Sequence, residues 1–269
     1  MADKGLRQRD GNAASPPYSG GPYDMSEEMR FNGKVDFSAN DDRYELVENF
    51  SKLPQLNATL DGVYTDEVVR NCNTDFEILG TGASDLDVTF STTVAGIQLQ
   101  TDGSSGDQVI VLPHLDTLYT AWTGILWGTE NQVEWECIIR TDASVADVTI
   151  WAGLKLTNTS VVATDADQVF FRFDGGVANW EAVTSIADTD TETDTGAANI
   201  VAINTVYKLR ITIDSSRVAR FYINNVLVHT TAALTDDVSF IPYIGVQDTA
   251  AAVKTITLIK QKISRIAFE

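Results

Sequence analysis

Glu134-Trp135-Glu136 places two carboxylates on the same side of an extended chain beside a tryptophan. Paired carboxylates of this kind cleave glycosidic bonds, one protonating the leaving oxygen while the other acts as nucleophile or base. The spacing argues against a retaining pair. Residues two apart on a strand are separated by roughly 6.5 to 7 Å of rise, whereas a retaining pair needs about 5 to 5.5 Å. The expectation is a solvated sheet face with no catalytic residue, hence no enzyme.

A second acidic pattern lies in ADTDTETDTG, where Asp188, Asp190, Glu192 and Asp194 alternate with neutral residues. Hard cations such as calcium take several oxygen ligands, so four carboxylates at this spacing form a candidate set. The set is incomplete. With Asp188 as first loop position, Thr193 stands where the turn glycine belongs and Asn199 where the bidentate glutamate belongs. An acidic, mobile loop without metal is the expected reading, and Asp165 with Asp167 forms a similar, weaker pair.

Of the five tryptophans, most are expected in the core. Trp180, in the polar stretch GGVANWEAV, is the candidate to test for contact with a sugar or a neighbouring subunit, on which an amphipathic ring can stack. His114 and His229 have no Cys, Ser or second His nearby in sequence, and Cys72 and Cys137 lack metal-ligand spacing. Whether the two cysteines pair stays open. The chain has no G-x-S-x-G, no phosphate-binding loop and no G-x-G-x-x-G, so no cofactor is expected.

These residues must be positioned by strands. YKLRITIDSSRVARFYINNVLVHT (207–230) alternates Tyr207, Leu209, Ile211 and Ile213 with Lys208, Arg210, Thr212 and Asp214, the signature of a half-buried strand. A polar turn follows, then Phe221 and Ile223 alternate with Arg220 and Tyr222 up to Asn224-Asn225, where asparagine tolerates a left-handed turn. Further strands are expected at 75–80, 86–93, 96–101, 108–113, 132–141, 147–157, 168–174 and 239–247, with one or two more in the closing KTITLIKQKISRIAFE. Only LDTLYTAWTGILW (115–127) invites a short helix. Short strands without helical periods between them indicate an all-β, antiparallel sandwich or barrel.

The 269 residues, 43% of them hydrophobic, suffice for one large β domain. A formal net charge of −19 opposes binding to a nucleic-acid backbone. No segment reads as a secretory signal, and none approaches the ~20 apolar residues of a membrane helix. Residues 1–50 read differently from the rest, as an extended N-terminal arm ahead of a sandwich domain at 51–269. Glycines and prolines break every periodicity there, Lys4, Arg7 and Arg9 face only Asp3, and Pro16, Pro17, Tyr18, Tyr23 and Phe31 offer anchors for subunit contact.

The run from Tyr207 to Asp214, followed by Arg220-Phe221-Tyr222-Ile223-Asn224-Asn225, resembles the hairpin of concanavalin A-like and laminin G-like jelly rolls. The resemblance covers residues 70 to 269 and implies a jelly-roll β-sandwich. Asn225 stands where those proteins usually have glycine. Glycanases of this fold carry E-x-D-x-x-E, a pattern broken here by Ile138 after the glutamate pair.

The layout of a Gly/Pro-rich arm followed by an acidic jelly roll containing LKLTNTSVVATDADQVFFRFD (154–174) resembles tailed-bacteriophage virion proteins that decorate or cement a capsid. That resemblance implies a structural protein made in the host cytoplasm and located on the capsid surface. Its partners would be the major capsid protein and neighbouring copies of itself, with no nucleic acid and no membrane. The alternative is a carbohydrate-binding module of a head or tail fibre that holds host glycans.

Overall fold

Strands β13 and β14 show why this chain folds as sheets. Tyr207, Leu209, Ile211 and Ile213 are buried while Lys208, Arg210 and Thr212 between them are partly exposed, and Ala219, Phe221 and Ile223 repeat the pattern on the return strand. Antiparallel pairing sets Ile211 opposite Phe221 and Leu209 opposite Ile223, which lines the apolar residues up on one face. Asn224 and Asn225 close the next hairpin with φ of 50° and 68°, the backbone a two-residue turn requires.

The computed structural model describes residues 43–56, 73–84, 87–113, 120–156 and 165–266. In chain order its strands are β1 (Arg43–Glu48), β2 (Pro54–Leu56), β3 (Asn73–Leu79), β4 (Val88–Phe90), β5 (Ile97–Gln100), β6 (Gln108–Pro113), β7 (Trp127–Gly128), β8 (Glu134–Thr141) and β9 (Val148–Lys155). They continue as β10 (Gln168–Asp174), β11 (Glu181–Ile186), β12 (Thr189–Asp194), β13 (Val206–Ile213), β14 (Val218–Ile223), β15 (Val226–Ala233), β16 (Ser239–Asp248) and β17 (Thr255–Ile266). A helical turn, α1 (Ala121–Gly124), lies within the one segment expected to be helical.

The strands form two sheets. The first runs β15-β14-β13-β8-β17-β5-β4, with β1 also on β17, and the second runs β12-β11-β10-β9-β16-β6-β3-β2, with β7 on β16. Pairing is antiparallel except between β2 and β3. The expected all-β jelly-roll sandwich is therefore present. Its inter-sheet core is closed by contacts such as Phe171 against Phe221, with ring centroids 5.1 Å apart at 83°.

The sheets are buried differently. β8 of the first alternates, with Trp135, Cys137 and Ile139 inward, whereas β6 and β9 of the second are buried at every position. One side of β6 and β9 joins the inter-sheet core through Val109, Val111, Ile150, Ala152 and Leu154. The other side forms a separate apolar cluster in which Ile110, Leu112 and Trp151 meet Leu79, Phe170, Val183 and Tyr243. Gly153 lies in that outer layer between Tyr243 on β16 and Phe170 on β10.

Two expectations are corrected. The arm does not extend to residue 50: β1 pairs with β17, Leu46 is buried in the core, and Phe50 is buried against Phe76 at 5.2 Å between centroids. The acidic stretch is not a loop but β12, an edge strand joined to β11 through Ala187 and Asp188 at φ 49° and 64°.

A Cβ on Gly153 would come within 2.4 Å of the Phe170 Cα and 2.5 Å of the Val169 carbonyl oxygen, both backbone atoms that cannot swing aside. Gly153→Ala is therefore expected to cost about 3 kcal/mol, the upper end of overpacking penalties. Urea unfolding should show it as a lower midpoint with an unchanged slope.

Candidate functional site

The alternation of β8 sends Glu134 and Glu136 out from the first sheet, away from the core-facing Trp135. Register then decides what they meet. β13 and β17 flank β8, and the Glu136 carboxylate lies 2.8 Å from Lys208 Nζ while Glu134 lies 3.9 Å from Arg210 Nη1. The Arg210 guanidinium also sits 4.2 Å from the centre of the Tyr222 ring, a cation–π contact. Lys262–Glu45 at 2.6 Å and Arg220–Asp214 at 2.7 Å extend the ladder of ion pairs along the sheet. Each glutamate faces a cation of its own, and the pair is a set of rungs in this ladder.

A cleft does open on the same face, toward the other end of β8. Across the sheet, Gln98 of β5, Thr257 of β17 and Arg140 of β8 stand in one row. Thr92 and Thr93 flank the row on one side, Asp142 and Asn204 on the other, enclosing about 190 Å³. At ~30 Å³ per water, that is room for about six waters or one small polar molecule. The rim is tied down: Arg140 Nη2 donates to Asn204 Oδ1 at 2.7 Å and Thr141 Oγ1 to the Ala202 carbonyl at 2.6 Å. Its lining has hydroxyls, amides, one cation and one carboxylate, without histidine or cysteine. Such a surface suits binding by hydrogen bonds more than covalent chemistry.

On the outer side of the second sheet the polar groups serve structure. Arg172 of β10 clamps Glu181 of β11 at 2.8 Å and Glu192 of β12 at 2.6 Å, stitching three strands together. Asp194 accepts from Asn179 Nδ2 at 3.0 Å and from the Gly196 N–H at 2.7 Å. Asp188 sits in the hairpin turn and Asp190 on the exposed strand. The four residues considered for calcium therefore do not converge, and no group of three or more metal-ligating side chains occurs among the described residues. Asp165 and Asp167 diverge as well, Asp165 toward Lys155 Nζ at 3.5 Å and Asp167 toward Thr235 and the Ala187 N–H. Burial pushes the Lys155 ammonium below its ordinary pKa, opposed by Asp165, while the side chain lies 4.6 Å from the Tyr243 ring centre.

Trp180, the candidate for sugar contact, is a core residue. It is fully buried, meeting Phe171, Phe173 and Tyr207 edge-on with centroids at 6.4, 5.9 and 5.6 Å. All five tryptophans are buried. Cys137 is a free thiol in the core, where burial and then the charge of Glu136 push its pKa up and make it unreactive. His229 packs on Phe221, and burial lowers its pKa. Lys4, Arg7, Arg9, Pro16, Pro17, Tyr18, Tyr23 and Phe31, like Cys72 and His114, lie outside the described residues.

What sequence reasoning missed is the cleft. Gln98, the neighbours Arg140 and Asp142, and Asn204 come from three separate parts of the chain and belong to no motif; the β5-β17-β8 register and the β8–β13 pairing bring them together. The burial of Trp180 yields a direct test. Trp180→Ala should cost about 3–5 kcal/mol, as truncating a core aromatic does. A loss below about 1 kcal/mol in chemical denaturation would contradict a core role.

No protein-family profile matches this chain, and no curated protein matches it in sequence. Solved structures do match its fold. A protein of unknown function from Shewanella oneidensis MR-1 superposes with a TM-score of 0.54 at 11% identity, covering 91% of this chain and 95% of that one. A Bacillus licheniformis beta-glucanase gives 0.52 at 9% identity over 81% and 97% of the two chains. An uncharacterized protein from Mycobacterium paratuberculosis gives 0.50 at 12% identity over 71% and 93%. At such identities the likeness is one of fold alone, a jelly-roll sandwich that serves both catalytic and other proteins.

Proposed function

We propose that this chain is a non-enzymatic virion protein that decorates the outer surface of a tailed-phage capsid and stabilises it, held there by the segment preceding Arg43. The observation that carries this reading is the anchorage of β1. Six consecutive residues, Arg43 to Glu48, pair in register with Ile266 to Gln261 of β17. Glu45 bonds Lys262 at 2.6 Å, and Arg43 Nη2 donates to the Gln132 carbonyl at 2.7 Å. A strap transmits load only if its fixed end holds, and a pull along a paired strand shears several hydrogen bonds together. The 42 residues ahead of this anchor have the composition of an arm that orders on its partner.

The partners in this reading are the major capsid protein and neighbouring copies. Lys4, Arg7 and Arg9 provide a local positive charge toward an acidic neighbour, and Tyr18, Tyr23 and Phe31 supply apolar anchors. Many weak arms act together on a shell through multivalency. The net charge of −19 accords with an outward face and with no role in packing nucleic acid. Synthesis takes place in the host cytoplasm. Glu134 and Glu136, facing cations instead of a cleft, support a protein without hydrolytic activity.

The second reading, a module that binds host glycans, has one observation in its favour, the hydrogen-bonding cleft at Gln98, Arg140, Asp142 and Asn204. Two measurements separate the readings. Removing residues 1–40 leaves β1 intact, and the truncated protein should keep its thermal midpoint while losing binding to capsids; unchanged capsid binding would sink the strap. Binding on a glycan array that disappears in Arg140→Ala would instead favour the module.

A further inference from the structure

In each ion pair of the first-sheet ladder and in the Arg172 clamp, at least one of the two side chains is 24% exposed or more. Lys155 and Asp165 differ. Their side chains are 1% and 6% exposed, and Lys155 Nζ lies 3.5 Å from Asp165 Oδ2. A well-made charge-assisted hydrogen bond is shorter, about 2.7–2.9 Å. Burying two ions carries a dehydration cost for each that their attraction repays only at better geometry than this.

The backbone holds the two groups together. Lys155 ends β9, where register sets it between Gln168 of β10 and Ile241 of β16. Asp165 lies just ahead of β10, and the residue after it is tied down: the Ala166 carbonyl accepts from Ser185 Oγ at 3.2 Å and from the Asp188 N–H at 2.9 Å. Asp167 is turned elsewhere, toward Thr235 and the Ala187 N–H. The buried Tyr243 ring lies 4.6 Å from Lys155 Nζ and packs against the ammonium.

Burial favours the uncharged form of an ionisable group. It holds the Lys155 ammonium below its ordinary pKa against the opposing charge of Asp165. Passing one proton from Nζ to the carboxylate leaves a neutral amine facing a neutral carboxylic acid, with no ion left to dehydrate. That is the reactive form of both groups.

We infer that Lys155 and Asp165 become joined by an amide bond, formed within the folded chain and without an enzyme. The amine nitrogen bonds to Asp165 Cγ, the C–OH bond breaks, and the hydroxyl leaves with one amine proton as water. Nothing is oxidised or reduced, and no co-reactant is needed. In bulk water such groups do not condense, but two reacting groups held in contact reach effective concentrations of about 10⁵–10⁸ M. The product replaces two buried ions with one neutral amide. It closes residues 155–165 into a ring and fastens the β9–β10 connection as a disulfide would, in a chain whose Cys137 is a free thiol. The inference holds whatever the arm binds.

The test is the mass of the full chain under denaturing conditions. The wild type is expected to be lighter than its sequence by one water. Trypsin then locates the bond. A lysine held in an amide is not cut, so residues 141–172 should be recovered as one peptide that lacks one water and stays joined after a second protease cuts between Lys155 and Asp165. Lys155→Arg, which keeps the charge, and Asp165→Ala should each have the full mass of its own sequence. A wild-type chain at full mass, tryptic cleavage after Lys155 in the wild type, or a missing water that persists in Lys155→Arg overturns the inference.

Discussion

The centre of the second sheet, β6 and β9, is buried on both faces, and much else in the molecule answers to that constraint. A strand with no solvent side must satisfy its neighbours above and below, so β6 and β9 read as nearly continuous apolar runs. Glycine stands where neighbouring strands and side chains approach most closely in this sheet. Gly153 lies between Tyr243 and Phe170, and a Cβ on Gly245 would press Ile110 Cγ1 at 3.0 Å. Where a long polar side chain falls in the same layer it must bring its own compensation, as Lys155 does with Asp165 and the Tyr243 ring.

The first sheet, by contrast, has one face free to carry charge, and it uses that face to neutralise itself. Ion pairs between partly exposed groups contribute little to stability individually, roughly 0–1 kcal/mol. Their effect is on the surface potential. Lys208, Arg210, Arg220 and Lys262 each sit beside a carboxylate, so a strongly acidic chain presents a nearly neutral ladder here. Glu134 and Glu136 are members of this ladder, which is why two carboxylates on one strand face need not imply acid–base chemistry.

The first sheet's meander was legible because its period-2 pattern and its asparagine turn are local signals. Tyr207 to Ile213 and Ala219 to Ile223 point inward at the alternation read from the chain, and Asn224-Asn225 adopt the left-handed turn. The β11–β12 hairpin was not legible because its turn is Ala187-Asp188, without the Asn-Gly or Asp-Gly signature, and because β12 has no apolar face to show. Trp180 misled for a related reason. Its polar, glycine-rich neighbours describe the loop, while its burial is decided by Phe171, Phe173 and Tyr207 from other strands. The start of the sandwich was placed too late because RYELVE alternates weakly, and only its pairing with β17 makes it a strand.

Capacity for recognition can be located by asking which polar and apolar groups the fold has not already used. The tryptophans are in the core, Arg172 and its two glutamates are bound to one another, and the carboxylates of β8 face their cations. Two exposed features lie at the margins of the sandwich: the hydrogen-bonding cleft beside Arg140 and the uncharged edge of β15. Glycoside hydrolysis by a carboxylate pair needs both groups facing a cleft, and Glu134 and Glu136 face cations instead.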